Sequence, residues 1–256
     1  MHGQAKTKNH REIEMNRAPV AVVIGAGDAT GSAVAKRFAK EGFTLCVTRR
    51  HVDKLSTLVS DIEAAGGIAK PFGCDARVEQ EMIELFAHIE QDIGPIEVVV
   101  FNIGANVHFS IVDTTERVYR KVWEMAALAG FLTGKEAAKV MTPRAKGTII
   151  FTGATASLRG GKGFSAFASA KFALRALAQS MARELGPQGI HVAHPIIDGG
   201  IDTAFIRDNF PERYALKDQD GILNPEHIAE QYWQLHCQPR DSWTHELDLR
   251  PWLETF

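Results

Sequence analysis

A chain of 256 residues, 45% apolar and 23% charged, is long enough to bury one large core and has the composition of an ordinary globular protein. Its net charge of −2 and pI near 6.6 give no electrostatic attraction for nucleic acid or an anionic membrane. No apolar run approaches the roughly 20 residues of a spanning helix, and no charged-then-apolar signal segment is read at the start. Cys46, Cys74 and Cys237 are scattered and form no CxxC pair, so they read as buried thiols in a reducing compartment. The cytoplasm is therefore the expected location, with no disulfide and no metal.

Residues 1–17 are polar and unpatterned, and a flexible tail is expected ahead of a single domain over 18–256. The first predicted strand, 19–24, runs into Gly25-Ala26-Gly27-Asp28-Ala29-Thr30-Gly31, which opens a helix over 31–41. Glycines between a buried strand and a helix let backbone approach a pyrophosphate, and the helix N-terminus offers N–H donors and a favourable dipole. A second strand, 44–48, ends at Arg49-Arg50. An acid at that point would accept a ribose 2′-hydroxyl, whereas arginines bind a 2′-phosphate, so NADP(H) is favoured over NAD. Asp28 opposes that reading, because its carboxylate would repel the phosphate, and two solvated arginines would give the same sequence.

A helix over 52–65 and a strand over 69–73 lead to Cys74-Asp75, and a helix over 79–93 precedes the strand 98–101. Asn102-Ile103-Gly104 and His108 follow, and Asp113, Thr114 and Thr115 read as the cap of a long helix, 115–141. The strand 148–152 runs into Thr152-Gly153-Ala154-Thr155-Ala156-Ser157, and a helix over 163–185 carries Phe167-Ala168-Ser169-Ala170-Lys171. Positions four apart share a helix face, so Phe167 and Lys171 point the same way. The strand 190–193 leads to Asp198-Gly199-Gly200-Ile201-Asp202-Thr203, and 204–223 is mixed and polar. Asn224 and Pro225 start a helix over 225–236, and a last strand is expected at 247–249. Alternating apolar strands and helices argue for βαβ units in one doubly wound α/β domain, with strands covered on both faces.

Over residues 19–203 these motifs resemble the short-chain dehydrogenase/reductase family, which implies a Rossmann domain with a seven-stranded parallel sheet flanked by helices. Gly25 and Gly31 match the ends of its Gly-x-x-x-Gly-x-Gly turn, with Ala29 at the middle position and Gly27 additional. By the same resemblance Asp28, Thr30, Arg49 and Arg50 would face the cofactor. Asp75 would touch the adenine amino group, and Asn102 and Gly104 are retained from an Asn-Asn-Ala-Gly. Gly199, Ile201 and Thr203 would hold the nicotinamide end, although Asp198 replaces a proline. The segment 243–256 departs from the family pattern.

Most members share a catalytic Asn, Ser, Tyr and Lys; the aligned residues here are Ala127, Ala154, Phe167 and Lys171, so three of the four are missing. A positioned general acid contributes about 10²–10⁴-fold, and a phenyl ring cannot supply one. Lys171 would still hold the nicotinamide ribose. Thr155 and His108 are candidate replacement donors, with Tyr214, Lys162 and His194 further ones. Three activities fit. The first is an NADP(H)-dependent oxidoreductase with an altered proton route, acting on a small carbonyl, imine or enone. The others are a catalytically silent NADP(H)-binding protein with a sensing or assembly role, and a non-redox enzyme reusing the fold. The resemblance also implies a substrate lid near 204–223 and a homodimer or homotetramer built on helices 115–141 and 163–185.

Overall fold

The computed structural model describes residues 17–255, so all but Arg17 of the expected tail lies outside the described residues. Eight strands form one parallel sheet: β1 (Val20–Ile24), β2 (Thr44–Arg49), β3 (Ile68–Gly73), β4 (Ile96–Phe101), β5 (Gly147–Phe151), β6 (Gly153–Ala154), β7 (Ile190–Ile197) and β8 (Glu246–Leu249). Their order is β3-β2-β1-β4-β5-β7-β6, with β8 on β7. The extra member beyond the expected seven is β6. It is where the chain leaving β5 continues past Thr152 and pairs Gly153 and Ala154 with Ile196 and Ile197 of β7.

β1 explains the layering. All five of its residues are buried, and the period of two sends Val20, Val22 and Ile24 to one face and Ala21 and Val23 to the other. On the first face they meet α3 (Glu79–His88), α5 (Ala129–Met141) and α6 (Ser165–Leu185) through Met82, Phe86, Leu132 and Leu174. On the second they meet α1 (Thr30–Lys40), α2 (Ser56–Ala64) and α9 (Pro225–Cys237) through Val34, Phe38, Ile62 and Tyr232. Each fully buried Val, Leu, Ile or Phe contributes about 1.5–3 kcal/mol of transfer free energy, so the central strands anchor the domain.

Five expectations need correction. β3 is not covered on both faces: it is the sheet edge, mostly exposed, and Pro71 is tolerated there because an edge strand can lack one N–H donor. Cys237 is exposed at the end of α9, unlike the buried Cys46 and Cys74. The helix expected over 115–141 is divided into α4 (Glu116–Trp123) and α5 by a π-helical turn, Glu124–Leu128, whose wider winding buries both Ala126 and Ala127. The stretch 52–65 begins as a 3-10 turn before α2, and 79–93 ends in a second π-helical turn after α3.

The caps follow the sequence more closely. Asn224 accepts a 2.8 Å hydrogen bond from Glu226 N–H, and Thr115 accepts from Val118 N–H. Asp113 and Thr114 instead bond to Ser110. Two short helices, α7 (Ala204–Asn209) and α8 (Pro211–Tyr214), lie in the chain between β7 and α9. Among the described residues no helix is long and apolar enough to cross a membrane.

Candidate active site

The turn after β1 is shaped by two glycines. Gly25 has φ +87°, where a side chain is strained, and a methyl on Gly31 would lie 2.6 Å from the Gly25 carbonyl oxygen. Asn102 at the end of β4 donates from Nδ2 to that same oxygen at 3.2 Å, tying the turn to the neighbouring strand. No side chain caps the N-terminus of α1; Ser32 and Ala33 N–H donate to the Gly27 and Ala29 carbonyls, and the N–H groups of Thr30 and Gly31, with the positive end of the dipole, face the turn.

Two cavities meet at this turn. The smaller, about 240 Å³, is lined by Gly25, Gly27 and Thr48, by Arg49, Arg50 and Arg77, and by Asp75, Asn102 and Gly104. Two of its arginines are already paired. Arg49 Nη1 lies 2.8 Å from Asp28 Oδ1, and Arg77 grips Asp75 with Nε at 2.9 Å from Oδ1 and Nη2 at 2.5 Å from Oδ2. The hydrogen bonds from Arg77 hold the Asp75 carboxyl below its ordinary pKa.

The larger cavity, about 740 Å³, shares Gly27, Asn102 and Gly104 with the first and extends over Asp28, Ala29, Thr30 and Gly31 to Ala154, Thr155, Phe167 and Lys171. Gly199, Ile201 and Thr203 complete that side, and Thr203 caps α7 by accepting from Ile206 N–H at 3.1 Å.

Lys171 is only 3% exposed, and its Nζ donates to the Thr152 carbonyl oxygen at 2.8 Å. Burial pushes its pKa down to about 8. The same Nζ sits 5.9 Å from the centroid of the Phe167 ring, a cation–π contact where a phenol would have offered a hydroxyl. Phe167 is wedged among Ala126, Ala156, Ala166 and Ala170. Thr152, which anchors Lys171 by its carbonyl, accepts at Oγ1 from the Tyr232 hydroxyl at 3.0 Å.

Other sequence candidates are not brought into this wall. Ala127 is buried in the π-helical turn and lines neither cavity. His108 is exposed, edge-on to Phe164 at 4.9 Å and backed against Gly163. His194 is fully buried beneath Gly153, with no hydrogen bond at either ring nitrogen; burial, and then the charge of Lys171, push its pKa down to about 4. It is a neutral core residue. Lys162 is exposed, and Tyr214 ends α8 with Lys217 Nζ 5.6 Å from its ring.

The wall also contains residues that the motifs did not single out, notably Asn106, Arg159, Arg213 and Glu254. Arg213 of α8 is ion-paired with Glu254, so the atypical C-terminal segment closes one side of the cavity. Asp198, buried at the end of β7, accepts from Thr155 Oγ1 at 2.6 Å and faces two nitrogens of Arg159 at 3.3 Å. The available sequence signal was a carboxylate replacing an apolar residue at a strand end.

A glycine cradle at the first strand-to-helix turn, a cleft across the carboxyl ends of parallel strands and a buried lysine beside it define a dinucleotide-binding α/β enzyme scaffold. A family model described as short chain dehydrogenase matches residues 19–213, and the chain belongs to the short-chain dehydrogenase/reductase family of oxidoreductases. It is 31% identical to a short-chain dehydrogenase/reductase of Armillaria gallica, covering 70% of this chain and 69% of that one. A crystallised short-chain dehydrogenase from Rhodopseudomonas palustris is 50% identical, with a TM-score of 0.79 over 92% of this chain and 100% of its own. A metagenomic short-chain oxidoreductase solved in complex with NADP is 25% identical, with a TM-score of 0.78 over 93% of this chain and 99% of that one.

Proposed function

We propose that this protein is an NADP(H)-dependent oxidoreductase that acts on a small carbonyl, imine or enone substrate by a proton route differing from the Asn-Ser-Tyr-Lys set of its family. The observation that carries the reading is Lys171. It is buried, it lines the same cavity as the glycine turn, and it faces the hydroxyl-free ring of Phe167. Lysine is kept where cofactor ribose would need it, while the proton-exchanging side chain is gone.

The residues present fit a nicotinamide dinucleotide. The crowded Gly31 and the uncapped α1 suit a pyrophosphate, and Asp75 suits the adenine amino group. Lys171 would hold the ribose hydroxyls, and Gly199, Ile201 and Thr203 the nicotinamide end. Arg49 and Arg50 suit a 2′-phosphate, provided that the Arg49–Asp28 pair opens; the NADP bound by the metagenomic relative supports the same choice. The group supplies hydride when bound. The chain orients it, shields it with a lid over 204–223, and must exchange a proton at the substrate. Hydride addition to an iminium ion needs no acid at the acceptor, and conjugate reduction of an enone places different demands from ketone reduction.

The test measures NADPH binding by fluorescence and NADPH consumption with ketones, imines and enones. The natural protein is compared with Lys171→Ala and with a triple variant, Ala127→Asn, Ala154→Ser, Phe167→Tyr. Expected are NADPH binding, turnover of a carbonyl, imine or enone by the natural protein, loss in Lys171→Ala, and faster ketone reduction by the triple variant. Absence of NADPH binding overturns the reading. Binding with turnover only in the triple variant favours a catalytically silent NADP(H)-binding protein, the reading for which the bare Phe167 ring speaks.

A further inference from the structure

We infer that Thr155 and Asp198 form the proton-exchanging pair of this site, with Thr155 meeting the hydroxyl of an alcohol, the reduced form of the substrate; the inference rests on the oxidoreductase reading above. Asp198 is 1% exposed, yet it ends β7 directly behind the wall of the larger cavity. Burying a carboxylate is costly unless its oxygens are satisfied. Here Oδ1 accepts from Thr155 Oγ1 at 2.6 Å, both oxygens face Arg159 at 3.3 Å, and Arg250 Nη2 lies 4.0 Å from Oδ2. The Asp198 N–H donates to Leu249 O at 2.8 Å, fixing the group against β8.

A hydroxyl has one proton and two lone pairs. Because Thr155 commits its proton to Asp198, it presents acceptor lone pairs toward the cavity it lines, beside Ala154, Phe167 and Lys171. It is therefore set to receive a proton from a ligand O–H. In the oxidising direction the substrate O–H bond breaks and its proton passes to Thr155 Oγ1. The Thr155 proton moves to Asp198 Oδ1, the carbinol C–H bond breaks, and its hydride goes to the oxidised nicotinamide. Ketone, reduced nicotinamide and one proton on Asp198 result, and the reverse sequence reduces a carbonyl. Thr155 is the catalytic residue. Asp198 acts through it, and Arg159 balances the charge.

Three variants separate these roles: Thr155→Val, Thr155→Ser and Asp198→Asn. The first readout is binding of trifluoroethanol, an alcohol that resists oxidation, to the protein saturated with NADP+. Thr155→Val is expected to weaken it about tenfold, the value of one lost hydrogen bond, and Thr155→Ser to restore it. Because Thr155 lines the same cavity as the glycine turn and Lys171, NADP+ affinity is measured for each variant and trifluoroethanol binding is compared only at NADP+ saturation. The second readout is NADP+ reduction with cyclohexanol, benzyl alcohol and a hydroxysteroid. Thr155→Val should lower kcat/KM by about 10²–10⁴-fold, and Asp198→Asn should lower kcat while leaving the alcohol KM little changed. NADP+ binding together with unchanged trifluoroethanol affinity in Thr155→Val, or no trifluoroethanol binding by the natural protein, overturns this inference and leaves the oxidoreductase reading standing. Failure of the natural protein to bind NADP+ overturns both.

Discussion

Lys171 is a charge in an apolar place. Its ammonium donates to the Thr152 carbonyl, and its pKa falls from an ordinary 10.5 to about 8. That gap is worth roughly 3 kcal/mol of differential interaction. The sign follows from proton counting. Between about 8 and 10.5 the unfolded chain keeps the proton that the folded protein has released, so stability rises with pH across that window. Below it the full cost of burying the ammonium is present. Cys46 and Cys74 act oppositely, since burial raises both thiols from 9.0 to about 12 and favours unfolding as pH climbs past their ordinary value. Comparison with Lys171→Met isolates the lysine: urea midpoints at pH 7 and pH 9.5 should show the variant more stable at the lower pH, with the difference shrinking at the higher. A difference that does not change with pH would mean that Lys171 is not desolvated. The bare Phe167 face and the retained lysine were legible in the sequence, because both lie on one helix at a spacing of four. The Thr155–Asp198–Arg159 cluster was not. Its members lie 43 and 39 positions apart in sequence and meet only because β6 lies against β7.

At the scale of elements, strands and helices followed from apolar runs and caps, whereas the exceptions arose from context that a local pattern does not contain. The chain leaving β5 resumes as β6 because β7 extends four residues past the stretch expected to pair, to Ile197. The π-helical turn inside the long helix left no mark, since Ala126 and Ala127 fit a straight helix equally well. The glycine turn between β1 and α1 was legible, and two of its positions now make different demands. A methyl at Gly31 would meet backbone at 2.6 Å, while at Gly27, which lines both cavities, it would meet nothing within 4 Å. Gly31→Ala should therefore cost about 1–3 kcal/mol of stability through overpacking, along with NADPH affinity. Gly27→Ala should fold with unchanged urea midpoint and lose NADPH affinity alone, because its methyl occupies ligand space. If Gly27→Ala binds NADPH as well as the natural protein, the pyrophosphate does not lie over this turn.

Among the exposed large apolar side chains of the described residues, three sit on helices that pack against one another. Trp123 at the end of α4, Phe131 on α5 and Phe172 on α6 are 42%, 46% and 42% exposed, although neighbouring residues on each helix are packed into the core. A single exposed Phe is unremarkable on a monomer, whereas a contiguous apolar patch is the kind of surface that binds a partner, and these three rings on packed helices are the candidates for one. These are also the helices through which the family resemblance implies a dimer or tetramer. A second copy of this chain is accordingly the expected occupant, related by a two-fold axis that sets the same faces against each other. Burial of such rings at an interface removes apolar area from water at about 25 cal/mol per Å², so two charges placed there should dissociate the assembly. Sedimentation equilibrium is expected to report an oligomer for the natural protein and a monomer for Phe131→Asp/Phe172→Asp, with near-native circular dichroism. A natural protein that sediments as a monomer would assign this apolar surface to a different partner. Because neither substituted ring lines either cavity, a monomeric variant that still binds NADPH would show that each copy builds its site alone. Lost binding would instead place part of the site's rigidity in the interface.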